Sequence, residues 1–210
     1  MAGGRSRTVA ACFVALMAIG CTTMPNPSTQ ASSTTTPESS GQPNAAFDEA
    51  GCKARIDAAD LTQDATIYAV DQCRFTAAGA AAATAVIASN PTGDALWAAV
   101  WVYAASGSDP APLRPLLQQS NASVRTMAAA SLIALGDSSG FAVLGNAVSD
   151  TDNVAGADPP ESIGTFAVEA LVQSITASEL PASSADWPAW LATNVPTLTY
   201  DASTGTWSAP

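Results

Sequence analysis

The sequence predicts an all-α fold, a short α-solenoid of stacked helical hairpins with a small C-terminal cap that contains tryptophan. Charged residues make up only 12% of the 210 residues and alanine is abundant, a composition that favours helices and lets them approach closely. Small and apolar side chains recur at helical spacing from Val124 to Leu135, and a similar pattern returns at Ile163. Hairpins of this kind bury their apolar stripes only by stacking on neighbours.

Residues 1–20 are interpreted as an export signal. Arg5 and Arg7 precede an apolar stretch, residues 8–20, that is too short to span a bilayer as a stable helix. The stretch ends in A-I-G-C, which resembles the lipobox of bacterial lipoproteins. That resemblance implies that Cys21 carries acyl chains such as palmitate and becomes the first residue of the mature chain. An ordinary cleaved signal followed by a chance cysteine is the alternative.

Residues 21–46 are predicted to form a disordered linker. Beyond Cys21 they consist mostly of Ser, Thr, Pro and Gln with a single charge, and they cannot bury enough apolar surface to offset chain entropy. A lipidated cysteine followed by such a tether would hold a folded domain away from the bilayer. We therefore expect an exported, lipid-anchored protein at the outer face of the cell membrane, with a helical domain over 47–182 and a capping segment over 183–210.

The cysteines are consistent with export. Cys12 falls in the predicted signal and Cys21 at the predicted lipidation site, which leaves Cys52 and Cys73 as a pair in the folded part. A disulfide between them would close a loop of about 20 residues and stabilise the fold by roughly 3 kcal/mol. A redox-active pair is the alternative, but the chain has no C-x-x-C motif to favour it.

The folded part is predicted to consist of short helices separated by turns. Asp94 and Asn121 are expected to cap two of them, because a short side-chain acceptor satisfies the free N–H groups of a first helical turn. The Cys52–Cys73 disulfide would clip the first two helices together. The predicted helices cover residues 47–59, 63–72, 75–89, 95–105, 112–119 and 161–176, with a helical hairpin over 121–150 between the last two.

The central hairpin is the best-preserved member of an imperfect repeat. The segment IGTFAVEALVQSI that begins at Ile163 aligns with the segment that begins at Val124, and an earlier helix and turn echo the same layout. Hairpin spacings of roughly 29 and 39 residues are typical of stacked solenoids. The pattern V-R-x-x-A-A-x-x-L-x-x-L-G-D at residues 124–137 resembles HEAT-like repeats, including the bilin-lyase-like subtype. The resemblance implies a scaffold that binds partners along one face, and no residue is identified that would handle a chromophore.

The last segment is predicted to cap the repeats. Trp187 and Trp190 would lie on one face of a short helix. Tyr200 and Trp207 flank the turn D-A-S-T-G, which predicts a small hairpin or an extended strand pair.

The composition of the chain excludes some classes of function and disfavours others. The chain has no histidine, which excludes Ser-His-Asp catalysis and histidine-ligated metal sites. Its 7 basic and 18 acidic residues give a net charge of −11, which disfavours nucleic-acid partners. We expect no cofactor. The acidic loop from Asp150 to Asp158 offers oxygen ligands for Ca²⁺, but its spacing does not match an EF-hand, and a solvated loop is favoured.

The sequence therefore favours a scaffold or binding protein, rather than an enzyme, that engages a protein or envelope component through its helical surface. A small-ligand or lipid carrier, with a groove lined by Trp97 and Trp101, and an enzyme with a histidine-free site are the alternatives. Packing in the core is the competing interpretation for all the aromatic candidates. The candidate binding residues are Trp97, Trp101, Tyr103, Trp187, Trp190 and Trp207.

Overall fold

The computed structural model describes residues 48–157 and 160–209, and it is mostly helical, as predicted. The predicted export signal, Cys21 and the predicted linker lie outside the described residues. The α-helices are α1 (Glu49–Asp57), α2 (Asp64–Asp71), α3 (Ala77–Ser89), α4 (Asp94–Ser106), α5 (Ala122–Ala134), α6 (Gly140–Ala147), α7 (Ile163–Ser174) and α8 (Trp187–Asn194). Within the described residues, 3-10 segments cover Ala111–Gln118, Ser184–Asp186 and Val195–Thr197, and the strands are β1 (Ile175–Thr176), β2 (Thr199–Asp201) and β3 (Thr206–Ser208).

Successive helices pack on one another around α5. Helix α1 packs on α3, α3 on α4, and α4 on α5, while α5 also contacts α6, α7 and the first 3-10 segment. Ten of the thirteen residues of α5 are buried, because its small side chains let helices approach from several sides. Helix α5, the first helix of the hairpin predicted over 121–150, therefore lies at the centre of the core.

The caps of α4 and α5 differ from each other. The Asn121 side chain accepts a hydrogen bond from the Val124 N–H at 3.1 Å, which confirms its predicted capping role. The prediction for Asp94 is wrong, because Gly93 occupies the cap position and Asp94 is the first helical residue. The Asp94 carboxylate instead accepts from the Leu61 N–H at 2.9 Å, so it ties α4 to the loop before α2.

Two predicted helices need correction. The segment predicted over 112–119 is a 3-10 helix, and Pro115 inside it has no N–H for an α-helical bond. The last long helix is shorter than predicted, since Ser162 caps it and Ile175 already belongs to a strand. Glu161 therefore lies just before α7 and does not share the helix with Glu169.

The predicted disulfide is confirmed. Cys52 and Cys73 are bonded with their Cα atoms 5.7 Å apart, and both are fully buried. The bond joins α1 to the turn after α2. Gly79 in α3 lies against the same turn, since a Cβ there would meet the Cys73 carbonyl oxygen at 1.9 Å. The disulfide, the turn and the start of α3 thus form one closely packed unit.

A small sheet closes the C-terminal end and adds β structure to a mostly helical fold. The predicted hairpin is confirmed as the antiparallel pair β2 and β3. Strand β1, which directly follows α7, pairs with β3 in parallel and places Ile175 opposite Trp207. The sheet order β1-β3-β2 therefore joins the tail to the last long helix, a link that the sequence pattern does not predict.

Candidate functional site

The tryptophan pair of α4 lies in the core. Trp97 is 3% and Trp101 is 5% exposed, and their ring centroids are 5.6 Å apart in a tilted arrangement. Tyr103 is also buried, and its hydroxyl donates a hydrogen bond to the Asp109 carbonyl oxygen at 2.7 Å. Burial raises the pKa of Tyr103, and the nearby Asp109 charge adds to the effect. These positions support the packing interpretation and leave no open ring face for a ligand.

The tryptophans of the C-terminal segment also pack in the core. Trp187 is 1% exposed and packs edge-on against the partly buried Trp190, with ring centroids 5.8 Å apart. Trp207 is 6% exposed, and its indole N–H donates to the Ile133 carbonyl oxygen at 2.9 Å. The Tyr200 hydroxyl donates to the Ala134 carbonyl oxygen at 2.6 Å, so the sheet is bonded directly to the end of α5. This arrangement supports the predicted capping role.

A groove of about 390 Å³ lies between α6 and α8. None of the candidate aromatic residues lines it, so the sequence patterns did not identify it. The two helices approach closely at Gly145, where a Cβ would lie 2.8 Å from the Leu191 side chain. The lining residues are all uncharged: Ser138, Ser139, Phe141, Ala142, Gly145, Asn146, Pro188, Leu191, Ala192, Val195 and Pro196.

One end of the groove is held by Asp137. Its carboxylate accepts from the Arg114 guanidinium at 2.5 Å and from the Ser139 N–H at 2.9 Å. Burial would raise the pKa of Asp137, but the hydrogen bonds from Ser139 and Arg114 outweigh it and hold that pKa below its usual value. The carboxylate is therefore charged at neutral pH, and it fixes the turn that carries Ser138 and Ser139 at the groove.

The acidic loop has no metal-site geometry in the part that the structure describes. The Asp150 carboxylate accepts from the Asp152 N–H at 2.9 Å, an ordinary turn contact, and Asp158 lies outside the described residues. Among residues 48–157 and 160–209, no cluster of acidic or cysteine side chains could hold a metal ion. Burial, and secondarily the Glu169 charge, raise the pKa of Glu161.

None of the described helices is both long enough and apolar enough to span a membrane. Comparison of the chain with models of known families, with characterised proteins and with solved structures gives no match. The arrangement offers an open, neutral and largely apolar groove with three polar side chains, Ser138, Ser139 and Asn146, among its lining residues.

Proposed function

We propose that the chain is an exported, lipid-anchored, HEAT-like helical domain that binds a partner protein through the groove between α6 and α8 and catalyses no reaction. The groove is the observation that carries this proposal. The successive packing of α3, α4, α5 and α6 supports a short solenoid. The buried disulfide supports an exported location, because such bonds persist in oxidising compartments.

The chemistry of the groove favours an uncharged, apolar segment of the partner. All its lining residues are uncharged, so a buried charge on the partner would lose its hydration without gaining an opposite charge. Ala142 and Ala192 are exposed in the two facing helices, and their small side chains leave room between them. Ser138 and Ser139 supply hydrogen-bond groups that can orient the bound backbone.

Filling the groove should abolish partner binding without unfolding the domain. In Ala142→Trp the indole would occupy the groove, and because Ala142 is exposed the free energy of unfolding should change by less than about 1 kcal/mol. A photo-reactive amino acid in place of Asn146 would report the partner by cross-linking in cells that make the protein. We expect the cross-linked product to fall by about tenfold or more in the Ala142→Trp background.

Ala142→Ser is the matched control, since it keeps the groove open and should leave the cross-link unchanged. An unchanged cross-link in Ala142→Trp would contradict the assignment of the groove as the binding surface.

A small-ligand carrier is the second candidate, because a volume of about 390 Å³ lies within the range of small-molecule sites. Native mass spectrometry of the purified protein distinguishes a small-ligand carrier from a protein-binding scaffold. A bound apolar molecule that is lost in Ala142→Trp, together with no protein cross-link, would replace the scaffold proposal with the carrier. Turnover of any substrate that one carboxylate substitution abolishes would favour an enzyme instead.

The proposed anchor has its own test at Cys21. Acylation requires the thiol, so Cys21→Ala should move the protein from the membrane fraction to the soluble fraction. Fractionation followed by immunoblotting measures the change, and Cys12→Ala in the predicted signal is the matched control. Retention of Cys21→Ala in the membrane fraction, together with an unchanged mass of the N-terminal peptide, would contradict lipidation.

A further inference from the structure

Each wall of the groove between α6 and α8 is one face of a helix. On the α6 side the lining residues follow the spacing i, i+3, i+4 and i+7: Ser138, Phe141, Ala142 and Gly145. The α8 side repeats that spacing with Pro188, Leu191, Ala192 and Val195. At 1.5 Å per residue, the α6 wall is about 12 Å long from residue 138 to residue 146, or roughly two helical turns. The groove therefore matches about two turns of a third helix laid between the two walls.

The shape of the groove suits a helix that carries larger side chains. Its floor is apolar, since Phe141 is 1% and Leu191 is 4% exposed. The exposed alanines, Ala142 and Ala192, project no more than a methyl group from each wall. Because small side chains at the contact allow helix axes to approach closely, a row of apolar side chains on an incoming helix can reach the floor.

The walls favour a helical occupant over an extended one. Between their ends, α6 and α8 offer no free backbone groups, because the N–H and C=O groups inside a helix bond to one another. An extended peptide buried there would leave part of its own backbone without hydrogen bonds, which is costly. A helix has unpaired backbone groups only in its first and last turns. The exposed hydroxyls of Ser138 and Ser139, at one end of the groove, can donate to or accept from such groups.

The chain itself does not supply a suitable helix. In its described part the large hydrophobic side chains with high exposure are Tyr68, Phe75 and Val172, and no two of them share a helix. A second copy therefore presents no apolar stripe there, and the net charge of −11 makes two copies repel each other. In residues 22–46, Met24 is the one large apolar residue and four prolines interrupt the sequence. The occupant therefore has to come from a different protein.

We infer that the groove between α6 and α8 binds an amphipathic helix of another protein, with uncharged apolar side chains at i, i+3 or i+4, and i+7 on its docking face. Apolar anchors at this spacing are a recurring mode of helix recognition by grooves. A charge among the anchors would lose its hydration against an uncharged lining. The inference rests on the function proposed for the groove, and it adds the conformation and the sequence pattern of the bound segment.

Photo-cross-linking from the two ends of the groove tests the conformation. One variant carries p-benzoylphenylalanine at Ser138 and another carries it at Asn146, both exposed positions, in cells that normally make the protein. The probes lie about 12 Å apart along α6, so the positions that they mark on the partner should be about eight residues apart in a helix. In an extended segment, at about 3.3 Å per residue, they would be about four apart. A probe at Val172, which is exposed on α7 outside the groove, should give no product with this partner.

A proline in the partner tests the helix independently. Placed at a polar position midway between the two cross-linked residues, it should reduce both products by at least about tenfold, because proline breaks a helix interior. Alanine at the same position is the matched control. It should leave both products unchanged, since alanine preserves the helix and a polar position faces away from the groove.

The outcomes separate this inference from the function proposed for the groove. Cross-links that Ala142→Trp abolishes, at positions about four residues apart and insensitive to proline, would overturn the helix and leave the groove as the binding surface. A product from one probe alone would do the same. Cross-links that persist unchanged in Ala142→Trp, or the absence of any product, would overturn both. A product with a second copy, or with residues 1–47 of the same chain, would overturn the inference.

Discussion

Trp207→Ala is expected to destabilise the protein by about 3–5 kcal/mol, the typical loss for truncation of a buried tryptophan. The Trp207 ring packs edge-on against Phe141 and in a tilted arrangement against Tyr200, with both centroid distances 5.2 Å. Its truncation leaves a cavity between β3 and α6 and removes the N–H bond to Ile133. Because domains are stable by only about 5–15 kcal/mol, the loss is a large fraction of the total. Urea denaturation of the purified protein measures it.

Two further substitutions separate the contribution of the Trp207 indole N–H from that of ring packing. Trp207→Phe keeps a ring but loses the indole N–H, and the Ile133 carbonyl oxygen still accepts from the Gly136 N–H at 3.0 Å. Since no buried acceptor is left without a bond, the cost should be only about 1–2 kcal/mol. Trp190→Ala, at a partly buried position, should cost less than Trp207→Ala. A Trp207→Ala loss below about 1 kcal/mol would show that the sheet unfolds separately from the helical core.

Local patterns in the sequence were enough to locate most of the helices. The bounds predicted for α1 to α4 and for α7 differ from the observed bounds by two residues or fewer at each end. The disulfide and the Asn121 cap were also predictable. The folded part contains one pair of cysteines, and a short side-chain acceptor directly precedes an apolar stripe, so both signals lie within short stretches of sequence. These features depend on residue spacing alone.

The features that were not predicted depend on contacts between distant segments. The groove forms where α6 and α8, about 45 residues apart in sequence, face each other, and nothing in either helix indicates the space between them. Strand β1 has two residues and is defined only by its pairing with β3. Asp94 was assigned as a cap because Asp favours that position, but the helix begins at Asp94, and Gly93 before it has φ at +71°, a conformation that glycine adopts without strain.

The aromatic residues show why helical spacing alone does not distinguish a binding surface from a packed core. Trp97 and Trp101 are one turn apart on α4, a spacing that fits a stacking surface and a packed helix equally well. Only the position of the neighbouring helices decides between the two, and α3 and α5 both pack on α4. Among the described residues, Tyr68 and Phe75 are exposed aromatic side chains, and neither belongs to a repeat pattern.

Loss of the disulfide is the second large effect, and it should act mainly through the unfolded chain. The bond joins residues 21 apart, and closing a loop of that size stabilises a fold by about 3 kcal/mol in the chain-entropy picture. We expect the double variant Cys52→Ala with Cys73→Ala to lose about 2–5 kcal/mol. Alanine is the suitable replacement because both sites are fully buried, and a serine hydroxyl would add the cost of a buried polar group. Denaturation of the oxidised protein and of the variant measures the difference.

The reduced wild-type protein is the matched control, because it lacks the bond but keeps both sulfur atoms. If the disulfide stabilises by restricting the unfolded chain, reduced wild type and the double variant should have similar unfolding free energies, apart from the packing of the sulfur atoms. The disulfide fixes Cys73, the residue at which the turn containing Phe75 begins, and Gly79 packs against the Cys73 carbonyl group. Hydrogen exchange should therefore increase most at residues 73–76 on reduction. A loss below about 1 kcal/mol, with exchange unchanged there, would show that packing alone holds the turn.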